Sequence, residues 1–174
     1  MNPDLVIRPW LLQAGAPFGA REAYLYRRPD TSTRCESVYF EYRVLRAVPT
    51  GHITPLQKDA IQDTYDCVSA YQQHWDVTVE IDLYNSPAGW ADLAGCAVGA
   101  AKEQAFLDLF RANNAAIKPE ETVVEDISEV DGERVYYHHR MTCVFHSWIC
   151  YIHTNYNHVV TSVEVESPLF TVDD

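Results

Sequence analysis

Basic side chains are scarce in this sequence of 174 residues. Thirteen Lys and Arg stand against 25 Asp and Glu, for a formal net charge of −12 with His neutral. Proteins that coat nucleic acid need Lys and Arg to neutralise phosphates, so this balance argues against such a role. It leaves room for a surface that a polyanion passes without sticking. No apolar run reaches about 18–20 residues, which excludes a membrane-spanning helix. The opening Met1-Asn2-Pro3-Asp4 lacks the basic stretch and apolar block that a signal peptide needs. Cysteine is not arranged in pairs. Cys35, Cys67, Cys96, Cys143 and Cys150 are odd in number, widely scattered and free of CxxC spacing. That pattern predicts free, mostly buried thiols in a reducing compartment. GxGxxG, P-loop, HExxH and GxSxG motifs are all missing, as are internal repeats and low-complexity segments.

What is present is globular in composition: 47% hydrophobic and 22% charged. The length predicts one domain over residues 1–174, burying roughly 70% of the unfolded surface, so that no disulfide or metal staple is required. Aromatics reach 12%, with 11 Tyr, 6 Phe and 4 Trp, residues that supply large contact areas in cores and interfaces.

Along the chain, residues 4–13 carry Leu5, Ile7, Leu11 and Leu12 as one face of a short helix, flawed at Pro9. Strands are predicted at 23–28 and 37–46, with a turn at 29–32, a loop at 47–58, and a helical or irregular segment at 62–73. The clearest strand is 74–84. There Val77, Val79, Ile81 and Leu83 alternate with Thr78, Glu80 and Asp82. Ser86 and Pro87 then open an alanine-rich helix predicted to run to about Asn113. Residues 115–133 read as an acidic loop ending in an Asp131-Gly132 turn. A long strand at 134–152, a turn at 155–157 and a last strand at 159–166 complete the chain. The order predicts an α+β domain with a largely antiparallel sheet and helices on one face.

Few residues suggest chemistry. His138, His139, His146, His153 and His158 crowd the last third. His138 and His146 share a strand face but stand about 27 Å apart at about 3.3 Å per residue, too far to ligate one ion. These histidines read as half-buried or interface residues, and no metal or cofactor is expected. Cys143 and Cys150 sit in an apolar strand pattern, where packing is a better reading than nucleophilic catalysis. Glu120, Glu121, Glu125, Asp126, Glu129 and Asp131 lack the EF-hand order of ligands and read as a solvated, partner-facing acidic loop. Glu80 and Asp82 admit two readings: an exposed strand face, or the negative wall of a channel that phosphates do not bind.

The stretch 75–166 carries a further pattern. A strand ending Val-Glu-Ile-Asp-Leu-Tyr-Asn-Ser-Pro-Ala leads into a helix with Ala-Asp-Leu-Ala near its start and Phe-Leu-Asp-Leu-Phe near its end. An acidic variable loop, an aromatic-rich approach to Arg140 and a final Val-Glu-Val-Glu follow. This resembles the tail-terminator or neck (head–tail connector) proteins of tailed bacteriophages, whose opening helix the Val-Ile-Arg-Pro-Trp-Leu segment also resembles. The chain departs from that family at Asn85-Ser86, where Gly is frequent, and in its long His- and Cys-bearing penultimate strand.

The resemblance implies a virion structural protein with no enzymatic activity, made in the host cytoplasm and placed at the tail–neck junction. It implies a ring, commonly hexameric, that ends tail-tube polymerisation and docks head-completion proteins. Its partners would be further copies of itself, the tail tube protein and a head-completion or portal-associated protein. DNA would cross the lumen without specific binding, and no membrane is involved. The alternatives are another neck or tube component, an enzyme with a Cys/His or metal site in residues 138–158, and an acidic DNA mimic.

Overall fold

The computed structural model describes residues 2–25, 37–60, 67–156 and 159–165, with side chains at 2, 4–25, 37–53 and 71–150. The predicted turn at 29–32, Cys35 and His158 lie outside these residues. So do the side chains of Cys67 and His153.

Three helices and eight strands are formed among the described residues. In chain order they are α1 (Pro3–Gly15), β1 (Glu22–Leu25), β2 (Tyr39–Ala60), β3 (Cys67–Tyr84), α2 (Gly89–Lys102), α3 (Gln104–Ala112), β4 (Ala115–Asp126), β5 (Glu129–Asp131), β6 (Arg134–Tyr136), β7 (His138–Tyr156) and β8 (Val159–Val165). Six strands make one mixed sheet in the order β1-β2-β3-β7-β4, with β8 pairing the far part of β7. β1 runs parallel to β2, and every other pairing is antiparallel. β5 and β6 form a separate two-stranded hairpin. The fold is α+β, as the order of elements predicts.

α1 begins where Asn2 Oδ1 accepts the Asp4 N–H at 3.0 Å and Pro3 occupies the first turn. It runs through Pro9 without stopping. Its buried face is Val6, Ile7, Trp10 and Leu11, while Leu5 is exposed, which corrects the predicted face. Trp10 fixes that choice by standing edge-on to Phe110 of α3 and Phe145 of β7, each with ring centroids 5.8 Å away.

The single helix expected after Pro87 is two. Glu103 leaves the helical region at ψ 128 while its N–H still reaches the Gly99 carbonyl at 2.7 Å. The bend re-aims α3, so that Phe106 and Phe110, one turn apart, both enter the core. Ser86 does not cap α2; its hydroxyl donates to Asp92 instead, and Ala88 holds the cap position.

Two segments read as loops or helix are strands. Residues 47–58 belong to β2, which absorbs Pro49, Gly51 and Pro55 through register shifts at 44/46, 50/54 and 55/57. The latter part of 62–73 is the start of β3. The acidic stretch 115–133 is edge strand β4 plus the first arm of the hairpin. β4 carries a register shift between Lys118 and Val123, where Pro119, Glu120, Glu121 and Thr122 leave the ladder. Proline, charge and a bulge are devices that keep an edge from recruiting another strand.

The core cluster takes β3 from Trp75 to Leu83 and β7 from Met141 to Ile149, against Val6, Trp10, Leu93, Cys96, Ala100 and Phe106 of the helices. The strands go further. β3 has 18 residues, β7 19 and β2 22, about 60–70 Å each, whereas α1, α2 and α3 measure about 14–21 Å. Past the core, Cys67–His74 pair with Trp148–Asn155 and with the far part of β2, and β8 adds a fourth strand. Among the described residues no helix is long and apolar enough to cross a membrane.

Candidate interface on the polar face of the sheet

Period-two alternation sends the odd-numbered residues from Val77 to Leu83 and from Met141 to Ile149 into the core beneath the helices and the even-numbered residues there to the opposite face. On that second face the register sets chemistry side by side. Arg43 lies directly opposite Glu80, Asp82 opposite Arg140, and Asp76 opposite His146. Tyr39, Tyr84 and His138 form the last cross-strand row. None of these partnerships was visible without the register.

Glu80 and Asp82 are therefore neither an exposed face nor a bare negative wall. They are 6% and 5% exposed. Arg43 grips Glu80 Oε1 through Nε and Nη2, both at 2.6 Å. Arg140 holds Asp82 with Nε at 2.8 Å and Nη2 at 3.2 Å, and approaches Glu80 at 3.5 Å. His138 Nε2 adds a third cation-capable group 3.1 Å from Asp82 Oδ1. Burial pushes the Asp82 carboxyl up, but the His138 and Arg140 hydrogen bonds outweigh it and hold the group below its ordinary value. The arginines cover the carboxylates and pair their charge, so the exposed-face expectation fails for these two residues.

A second network sits further along β3. Lys118 Nζ donates to Asp76 Oδ2 at 2.6 Å and lies 3.3 Å from Glu121 Oε1. His146 Nδ1 is 2.9 Å from Asp76 Oδ1, and its Nε2 is 2.9 Å from His74 Nδ1. Gln72 Nε2 stands 3.3 Å from His74 Nε2. A carboxylate only accepts and an amide nitrogen only donates. One proton pattern thus satisfies the chain with both rings neutral: Gln72 donates to His74, His74 to His146, and His146 to Asp76. The rings stack with centroids 5.0 Å apart. Burial raises the Asp76 carboxyl, but the Lys118 and His146 hydrogen bonds bring it below its usual value. Lys118 is raised in turn, chiefly by its bond to Asp76.

The acidic residues of 120–131 are all exposed, but they do not form one loop. Glu120 and Glu121 project from the β4 irregularity and Glu125 faces Arg140 in register. Asp126, held low mainly by hydrogen bonds from Ser128, lies 3.4 Å from buried His139. Glu129 and Asp131 belong to the hairpin, where Gly132 at φ +62 makes the turn.

Cys96, Cys143 and Cys150, the described thiols, take no part in the polar face's networks. Cys143 is buried on the helix side, opposite in face to His146, and burial pushes its thiol up. Burial pushes Cys96 to about 12. Cys150 shares the face of His146, but at four residues' distance, about 13 Å. Among the described residues no group of three or more His, Cys, Asp or Glu is arranged to hold a metal ion.

A cleft of about 260 Å³ closes the end of the face, lined by Tyr39, Tyr84, Asn85, Glu129, Tyr136, Tyr137 and His138. Asn85, at φ +63, turns the chain there and donates Nδ2 to the Ser37 carbonyl at 2.9 Å. The face as a whole is charge-paired and hydrogen-bonded. Neither a protein-family model nor a curated protein matches the chain.

Proposed function

We propose that this chain is a ring-forming neck or tail-terminator protein of a tailed bacteriophage virion, ending tail-tube growth and joining the tail to head-completion proteins. The observation that carries the reading is the mismatch between the layers. Among the described residues β2, β3, β7 and β8 continue far past the helices, and a sheet extension without a helix layer can bury its faces against other subunits. Head-to-tail contacts of one small subunit close into a ring when the rotation permits. The strand–helix–strand pattern that resembles the family supports the same reading. The net charge of −12 suits passage of DNA without adhesion. Glu80 and Asp82 do not contribute to that repulsion, since their charge is paired. Exposed carboxylates such as Glu120, Glu125 and Glu129 remain available for a partner or the lumen.

The test is to locate the chain in purified virions of the phage that encodes it. Mass spectrometry should find it among the particle proteins, and cryo-EM should place it as a collar at the head-proximal end of the tail. Absence from particles, or a position elsewhere in them, overturns the proposal. A variant with residues 54–72 replaced by Asn-Gly should keep the helical core and lose assembly. Unimpaired ring formation by that variant removes the role given to the extension.

A further inference from the structure

We propose that the cleft between the β5–β6 hairpin and the end of the sheet receives an arginine side chain presented by a basic segment of a partner protein. The inference rests on the cleft's own chemistry and stands apart from the ring reading.

Size sets the first limit. About 260 Å³ lies below the range of pockets that hold drug-sized ligands, and fits one side chain better than a nucleotide.

The lining sets the second. Tyr39 stacks on Tyr84 with centroids 4.8 Å apart, and Tyr84 stacks on His138 at 4.3 Å. Tyr136 and Tyr137 bring two more rings from the hairpin side. Rings of this kind attract a guanidinium through their negative faces, and arginine also stacks on them. The lining contains no Lys or Arg. His138, its one basic group, is engaged by Asp82.

The third limit is charge. Glu80, Asp82 and Asp76 each have a cation beside them. Glu129, on the cleft wall, has no ion-pair partner among the described residues. Glu41 stands close by, its carboxylate 3.4 Å from the Tyr84 hydroxyl. A cation entering here meets the Glu129 carboxylate and the aromatic rings together.

The hairpin supplies the rest of a docking surface. Val130 and Val135 are a direct cross-strand pair, 72% and 45% exposed. A lone two-stranded hairpin is marginal in stability, and contact with a partner's backbone or apolar side chains would complete it. The occupant is a basic partner because the cleft lining offers the Glu129 carboxylate and aromatic faces with no Lys or Arg of its own.

The probe is the blocked tripeptide Gly-Arg-Gly, with Gly-citrulline-Gly as its neutral isostere, titrated into the whole protein and followed by NMR of the tyrosine ring resonances. The arginine peptide should give saturable shifts at Tyr39, Tyr84, Tyr136 and Tyr137, and the citrulline peptide should bind about tenfold more weakly. Glu129→Gln should weaken the arginine peptide at least about threefold with its spectrum otherwise folded, and Glu133→Gln, on the turn, should not. Equal binding of the two peptides, shifts mapping to other residues, or no saturable shift overturns the proposal. So does a Glu129→Gln variant whose own oligomeric state changes in mass photometry without peptide, which assigns the cleft to a second copy.

Discussion

Arg140 clasps Asp82 in two parallel contacts, Nε to Oδ1 at 2.8 Å and Nη2 to Oδ2 at 3.2 Å, across the central strand pair of the sheet. The carboxylate is almost wholly shielded from water, and the guanidinium is about one-third exposed. The pair is bidentate, and removing the cation leaves an anion stranded in low dielectric.

Arg140→Met should lower unfolding free energy by about 2–3 kcal/mol, discounted for the exposed part of the guanidinium. Urea unfolding followed by tryptophan fluorescence measures it. The double variant Arg140→Met/Asp82→Leu should recover a large part of the loss, because no unpaired charge remains. Additive losses in the double variant would show that the two side chains act independently.

Acid should weaken the protein through Asp76 and Asp82. Both folded carboxyls sit below their unfolded values, near 3.9, so their contribution is complete above that value and is lost as pH falls through the folded pKa. Stability should decline below about pH 4. Asp76→Asn should be less stable at neutral pH and show a shallower acid decline than the parent, read from urea midpoints at stepped pH. Lys118 acts at the other end. Its raised value gives stability that is present below the unfolded lysine pKa and lost as pH climbs through the folded one. Lys118→Met should flatten the alkaline decline.

Gly89→Ala should destabilise the fold by about 1–3 kcal/mol. A Cβ there would overlap the buried His139 ring, which lies between the start of α2 and β7. Gly95→Ala provides the control, since nothing lies within 4 Å of a Cβ at that position. Thermal unfolding should separate the two variants, with Gly95→Ala equal to or above the parent because alanine favours a helix interior.

Alkylation should sort the cysteines. Cys96 and Cys143 are buried, and burial raises both thiols, so iodoacetamide at pH 8 should leave them unmodified in the native protein and label them in urea. Peptide mass mapping reads the result. Rapid native labelling of Cys143 would contradict the packing of β7 against the helices.

The sequence disclosed the fold class and the strand at 74–84 because alternation is a local signal. Val77, Val79, Ile81 and Leu83 face the core as the pattern predicts. It did not disclose what covers Glu80 and Asp82, since Arg43 and Arg140 lie 37 and 58 residues from the groups they pair with. The same holds for Lys118 and Asp76, 42 apart. Charge density misled at 115–133, because an edge strand carries acids and proline for the same solvent contact that a loop has. Proline and glycine misled at 47–58, where bulges accommodate them inside β2. At Glu103 the helix breaks for a tertiary reason, the reach of Phe106 and Phe110, that no local propensity encodes.

β7 borders β3 along its whole length and carries β4 on one half of its other edge and β8 on the remainder. It is one uninterrupted chain of 19 residues from the helix-backed end to the far tip. A tug on that tip is met by covalent backbone before any hydrogen bond has to give. A strain imposed on the far strands is therefore delivered straight beneath Trp10 and Phe110, which makes the aromatic cluster at Phe145 the place where mechanical history of the tip would register.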